Sequence, residues 1–443
     1  MNAPRLKVVL WLLGLSGCLL NAETVKDREG SVRDDKAKLE DSERWIYGDY
    51  RAALAKGKDT GKPVMVTLRC VPCLACAGFD AEVLRERTEL TPLLDQFICV
   101  RVINANDLDL SMFQFDYDLS FSALFFNGDG TLYGRFGSWT HQEDSGNKAT
   151  QSMKEALEAV LALHKGYPAN RAALAGKQPV ASPYRTPVRI PALAGKFSPE
   201  LDWNGQVVKS CVHCHQVGDA MRLDYRSKRQ SIPEEWLFPF PQPETIGLHL
   251  AEDARARVAS VDSGTIAAGA GLKAGDEILS LAGQPLVSVA DFSWVLHRAP
   301  ATRTLPVVVR RNGSEGTLQI RLTEGWREHP DGTKRVGTWP MRMMALGGLK
   351  LEDLDDEARA RRKIAPGRLA LEAVHVGQYN QHAAAKRAGF RKGDLLVQVD
   401  GANKRMTENQ LIASLLRDRQ KGEKARVTVL RNGRELELQL PMQ

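Results

Sequence analysis

At 443 residues, with 43% apolar and 26% charged side chains, the chain has an ordinary globular composition and a length that suits about three folded units. Its 61 basic and 54 acidic residues leave a net charge of +7, spread without a long basic block, so nucleic-acid binding is set aside as a function class. The one strong basic run, Arg359 to Lys363, reads as a solvated loop or helix end.

The N-terminus carries Arg5 and Lys7 and then an apolar stretch from Val8 to Leu15, too short to span a bilayer. This is the layout of a secretory signal within residues 1–22, and it predicts export to the periplasm or cell envelope. Leu15-Ser16-Gly17-Cys18 resembles the lipobox of bacterial lipoproteins, which implies lipidation at Cys18, while Leu20-Asn21-Ala22 offers an ordinary signal-peptidase site. A lipid at Cys18 would be the only membrane attachment. Residues 23–42 are charged, lack hydrophobic periodicity and read as a flexible tether.

From residue 43 to 166 the pattern sharpens into alternating helices and strands. A helix-like stretch leads into an apolar strand at Val64 to Leu68. A cysteine cluster and a helix follow it, then strands at Phe97 to Ile103, SALFF and TLYGRFG, and a helix from about Lys148 to His164. Six prolines at irregular spacing over 167–200 read as an extended linker. Residues 201–243 hold a second cysteine cluster and end in the proline-rich run LFPFPQPE.

The C-terminal half is an internal repeat. AGLKAGDEILSLAG at 270–283 matches AGFRKGDLLVQVDG at 388–401, a shift of 118, and VVVRRNG at 307–313 matches VTVLRNG at 427–433, a shift of 120. The RNG turns between β-rich runs predict hairpins, and helices are expected near Val289 to His297 and Thr407 to Leu416.

The segment GKPVMVTLRCVPCLAC resembles the thioredoxin-like domains of exported reductases, in which a reactive cysteine pair lies just beyond an apolar strand. That resemblance implies that Cys73 is the exposed nucleophile and Cys76 the resolving thiol, with Cys70 an extra cysteine. The chain departs from the pattern at Leu119-Ser120-Phe121-Ser122-Ala123, where thioredoxins place a proline. A static disulfide, or a metal held by the three thiolates, are the other readings of this cluster. Cys99, alone in an apolar run, reads as an inert core residue.

Cys211-Val212-His213-Cys214-His215 fits the C-x-x-C-H signature of c-type cytochromes. By that resemblance Cys211 and Cys214 would carry haem c and His215 would be its proximal ligand, with no distal ligand assigned. A zinc site using Cys211, Cys214 and His213 or His215, or a disulfide, are the alternatives.

The repeats, at 244–325 and 326–443, resemble bacterial PDZ domains, which capture peptide C-termini by adding a strand to a sheet edge. Ile246-Gly247-Leu248 and Gly347-Gly348-Leu349 correspond to the carboxylate-binding loops. The chain as a whole resembles exported bacterial thioredoxin-like/PDZ proteins, some members of which are selenoproteins. The expected fold is therefore multidomain: an α/β thioredoxin-like domain, a CxxCH segment and two β-rich α+β PDZ-like domains. The expected function is that of an exported redox protein, a candidate thiol-disulfide oxidoreductase, that binds partner proteins with free C-termini. The alternative is a non-enzymatic scaffold. No G-N-S-G-G-type loop is found, and the expectation is that the chain is not a protease.

Overall fold

A computed structural model describes residues 27–69, 71, 89–119, 121–137, 147–328 and 335–443. The first unit is a five-stranded sheet of β1 (Trp45–Tyr47), β2 (Val64–Arg69), β3 (Ile98–Val102), β4 (Phe121–Phe126) and β5 (Leu132–Phe136), in the order β1-β3-β2-β4-β5. The β1–β3 and β2–β3 pairs are parallel, and the β2–β4 and β4–β5 pairs antiparallel. The period-2 alternation of a strand puts Val64, Val66 and Leu68 on one face and Met65 on the other, so apolar residues fill both sides of the sheet. Each such side chain contributes roughly 1.5–3 kcal/mol when fully buried.

Helix α1 (Arg28–Leu39) occupies the stretch expected as a tether. Its buried Val32 and an ion pair of Asp35 with the buried Arg101 hold it against the sheet, a long-range anchoring that local composition does not reveal. Helix α2 (Tyr50–Thr60) starts at Asp49, whose side chain accepts from the Ala52 amide, and stops at Gly61 with φ +66°. Helix α3 (Asn147–Lys165) covers the second face of the sheet through Met153, Leu157 and Val160.

The proline-rich run 167–200 is packed rather than extended. Val188, Ile190 and Leu193 join the core that Val66, Val100 and Leu124 form on the first sheet face, and Leu174 joins the core on the other. The prolines impose irregular turns there, and apolar side chains without periodicity supply the burial. Helix α4 (Cys214–Ser227) closes the same first face with Val217, Ala220 and Met221.

The first repeat pairs β6 (Leu248–Leu250) with β7 (Val258–Val261). Its larger sheet comprises β8 (Glu277–Leu281), β9 (Gln284–Pro285), β10 (Arg303–Arg311) and β11 (Ser314–Leu322), flanked by helix α5 (Val289–Arg298). The second repeat opens with helix α6 (Thr338–Leu346). It continues with β12 (Leu349–Asp353), β13 (Leu371–Val376), β14 (Leu395–Val399), helix α7 (Glu408–Asp418), β15 (Lys424–Arg431) and β16 (Arg434–Pro441), the five strands forming one sheet in chain order. Both RNG turns are two-residue hairpins with positive φ at Asn312 and Gly313 and at Asn432 and Gly433. Among the described residues no helix is long and apolar enough to cross a membrane.

Candidate functional site

The cysteine pair Cys73 and Cys76, the extra Cys70 and the lipidation candidate Cys18 lie outside the described residues. What is described is the frame around the end of β2. Val71 packs with Ile103, Val207 and Val208, so the chain just past β2 meets the segment that leads into the second cysteine cluster. Asp35 of α1 accepts from Tyr47 Oη at 3.0 Å and Arg101 Nε at 3.1 Å, with Arg69 Nη1 at 3.6 Å. Two arginines thus converge on one buried carboxylate beside the strand ends. Cys99 is fully buried, and burial pushes its thiol up to about 12, so it stays protonated and inert.

The Cys211–His215 segment is folded into the wall of the first unit. The Val212 amide donates to Asn106 Oδ1 at 2.7 Å, and the Val212 carbonyl accepts from the Ala105 amide at 2.8 Å. Asn106 Nδ2 in turn donates to the carbonyls of Ser198 and Ser210 at 2.6 and 2.8 Å. Val212 is fully buried, and the Cys211 thiol donates to the Val207 carbonyl at 3.2 Å. Cys214 begins α4, and the His213 amide that precedes it donates to Gln216 Oε1 at 2.8 Å. The His213 and His215 rings stack with centroids 5.9 Å apart, and burial, followed by the neighbouring His215 charge, lowers the His213 pKa.

These residues do not fit haem c as the chain is folded. Thioether attachment needs both sulfurs on one face open to a flat macrocycle, whereas Cys211 turns inward to Val207 and Val212 between the thiols is a core residue. For zinc, no group of three or more His, Cys, Asp or Glu side chains gathers among the described residues.

The two repeats present their peptide edges differently. In the first, Gly247 at φ +75° turns the chain into β6, where its carbonyl accepts from the Asp262 amide and the Ala251 amide donates to the Arg257 carbonyl. Residues 247, 249 and 251 therefore face β7, and the main chain of Leu248 and Leu250 faces outward. In the second, the Gly348 carbonyl accepts from the Gly377 amide, which leaves Leu349 and Leu351 outward. There the Leu351 amide donates to Glu408 Oε1 at 2.7 Å. Glu408, the first residue of α7, is 2% exposed and chelated by Arg342 of α6, with Nε at 2.9 and 3.0 Å from its two oxygens and Nη2 at 2.5 Å. Met341, Met344 and Leu346 of α6 share one core with Leu411, Ile412 and Leu415 of α7. The edge that a peptide would join is filled by the chain itself. No motif announced this, because Arg342 and Glu408 are 66 positions apart.

A second buried ion cluster ties the first repeat to the first unit. Asp291 of α5 accepts from Lys177 Nζ at 2.5 Å and from the amides of Val287 at 2.9 Å and Arg135 at 3.2 Å. Arg135 lies over the Trp294 ring at 3.8 Å, and the Trp294 indole donates to the Gly176 carbonyl. Burial lowers the Lys177 pKa and lowers that of Arg135 to about 10, although Asp291 opposes both shifts.

Comparison with known proteins places names on these units. Residues 45–128 match the thioredoxin-like family, and residues 244–322 and 348–442 match the PDZ domain family. The chain is thus a thioredoxin-like N-terminal domain followed by two PDZ domains. A probable periplasmic serine endoprotease DegP-like of Halomonas elongata is 28% identical over 197 residues, 41% of this chain and 36% of the relative. The protein of the same name from Pseudomonas putida is 27% identical, over 43% of this chain and 38% of the relative. The chain spans little more than a third of the length of these relatives, and the matched length is close to that of the span 244–442. The crystal structure of the serine endoprotease from Yersinia pestis matches at 32% identity, over 18% of this chain and 28% of that one, with a TM-score of 0.17. The HtrA-type protease AlgW with tripeptide matches at 17% identity, over 30% and 41%, with a TM-score of 0.18. The expectation that the chain is not a protease is corrected by the two DegP-like relatives, which are named probable serine endoproteases.

Proposed function

We propose that the chain is an exported, cell-envelope redox protein in which the first PDZ domain captures a partner's C-terminus and holds it beside the thiols of the thioredoxin-like domain. The observation that carries the peptide part is the contrast at the two edges: Leu248 and Leu250 present outward main chain, whereas the equivalent Leu351 amide is bonded to Glu408. The loop Ile246-Gly247-Leu248 is then the carboxylate site in use, and Gly347-Gly348-Leu349 serves structure. Periplasmic placement is supported by the signal-like N-terminus and by the relatives' printed names, with Cys18 as the proposed anchor.

The thiol chemistry is disulfide exchange. The Cys73 thiolate attacks a partner disulfide, one partner sulfur leaves as thiolate, and Cys76 then displaces the second to form the Cys73–Cys76 disulfide. Cys211 and Cys214 act here as a thiol pair rather than as a haem mount. Cys214 stands at the N-terminus of a 14-residue helix, where the macrodipole and free amides favour thiolate, while Cys211 is held inward.

The experiment is reduction of a model disulfide peptide by the full chain. Cys73→Ser should abolish activity and Cys70→Ser should leave most of it; equal rates for both variants would sink the assignment. In parallel, alkylation after mild reduction should label Cys214 well before Cys211 and Cys99. A haem band on the denatured chain, made in cells with a cytochrome c maturation system, would reinstate haem at Cys211 and Cys214.

A further inference from the structure

A cavity of about 170 Å³ lies where the thioredoxin-like domain, α4 and the run 235–240 meet. Its walls are aromatic and acidic. Tyr117 and Trp236 face each other with ring planes within 6° and centroids 6.5 Å apart, and Met221, Tyr225 and Phe240 complete the apolar lining. Asp116 and Asp118 are 5% and 6% exposed, and one guanidinium serves both: Arg335 Nη2 reaches Asp116 Oδ1 at 2.5 Å and Nε reaches Asp118 Oδ2 at 3.0 Å. The second oxygen of Asp116 has no hydrogen-bond partner.

Arg222, a buried cation on the wall, is already held by Asp219 at 3.1 Å and by the Trp236 carbonyl at 2.8 Å. Asp116 and Asp118 thus share the one guanidinium of Arg335, two carboxylates at this end of the cavity against a single cation bonded to both. Glu235 and the exposed Arg298 at the rim are of opposite charge and cancel. A buried carboxylate oxygen left without a donor is costly, and a donor entering the cavity removes that cost. Aromatic faces add attraction for a cation by their ring quadrupoles.

We propose that this cavity binds a small organic cation, a primary ammonium or guanidinium on a short apolar body, with Asp116 as its counter-ion and Tyr117 and Trp236 as its aromatic walls. The volume sets the size: it is close to the ~150 Å³ of an engineered cavity that holds benzene and below the ~300 Å³ at which drug-sized pockets begin. The cation is either a free amine or a lysine side chain of a partner, since both bring the same group on the same kind of stem.

The test uses the full chain and titration calorimetry with three probes: n-butylammonium, n-butanol and Nα-acetyl-lysine methylamide. The ammonium should bind at least tenfold more tightly than the alcohol, and Asp116→Asn should weaken it by about tenfold, in line with a desolvated cation–π and ion-pair site. Because Asp116 also holds Arg335, a second variant guards the result. Ala181 is exposed and lines the cavity, so Ala181→Trp plugs it from outside and should abolish binding with an unchanged unfolding midpoint. Tighter binding of the lysine derivative than of butylammonium assigns the site to a partner's side chain; its exclusion assigns a free amine. Equal affinity for alcohol and ammonium, no binding of either, or full affinity in Ala181→Trp would overturn the proposal.

Discussion

The two PDZ domains share hairpin turns and a repeated sequence, yet they treat their peptide edges in opposite ways. The first enters β6 from a short turn at Pro243–Ile246, and α5 turns its Trp294 side onto the thioredoxin-like domain. The second enters β12 from the nine-residue α6, whose Arg342 and Met344 lie against α7. A duplicated fold thus carries one ion cluster at a domain junction, around Asp291, and another inside its own groove, around Glu408. The difference shows that a PDZ match fixes the backbone frame, while the residues ahead of the carboxylate loop decide whether the edge stays open.

The largest expected effect comes from breaking the seal. Glu408→Ala leaves Arg342, 1% exposed, as an unpaired buried charge and should cost about 3–5 kcal/mol in urea unfolding. A loss under about 1 kcal/mol would show that water reaches the pair and that the groove is not closed. Replacing both partners together, Arg342→Met with Glu408→Leu, should recover most of that loss, since apolar groups of similar volume often substitute well for a buried pair.

The junction of the first PDZ domain is the matching break. Asp291→Ala strands Lys177, fully buried, and removes the acceptor for the Val287 and Arg135 amides, so about 3 kcal/mol is expected. The informative readout is limited proteolysis. The first PDZ domain should be released from the thioredoxin-like domain while the second keeps its protection, and simultaneous cleavage in both would mean the junction is not local.

Much of this frame was legible in the sequence, and the reasons are physical. The strands at 64–69, 98–102 and 121–126 are short apolar runs between turn residues, and both RNG hairpins follow from the positive φ that Asn and Gly tolerate. What escaped is tertiary. Helix α1 has one buried apolar residue, Val32, and is held by Asp35 on Arg101, 66 positions away. The run 167–200 was masked by its prolines, although Ile190 and Leu174 are fully buried. The C-x-x-C-H match is a local string, and nothing in it foretells that Asn106 will draw Val212 into the core. Glu408 is invisible for the same reason: a single acid at a helix start reads as an ordinary first-turn residue.

Glycine substitutions sharpen the comparison at lower cost. At Gly247 an added Cβ would lie 2.4 Å from the Thr265 side chain at φ +75°, so Gly247→Ala should weaken binding of C-terminal peptides by about tenfold. Amidation of the peptide should have the same effect. At Gly348 the Cβ would meet the His382 carbonyl at 2.0 Å, and Gly348→Ala should lower stability while leaving peptide affinity unchanged. Equal loss of peptide binding in both variants would mean that the second groove is in use.

The smallest effect concerns how the seal is moored. Arg335 lies just ahead of α6, and its pairs with Asp116 and Asp118 fasten the approach to that helix onto the thioredoxin-like domain. Burial raises the Asp116 pKa to about 6, with Arg335 pulling against that shift. Between about pH 4 and pH 6 the folded state therefore holds a proton on Asp116 that the unfolded chain has released. The native state binds more protons in this window, so the contribution of Asp116 is fully present below pH 4 and declines as pH rises through 6. Asp116→Asn removes that slope. Thermal unfolding of wild type should fall relative to the variant by about 2 °C or less across this interval, a small shift because the chain is large. If wild type instead gains stability relative to Asp116→Asn as pH rises from 4 to 6, Arg335 dominates, Asp116 is ionised throughout, and the mooring of α6 is insensitive to pH.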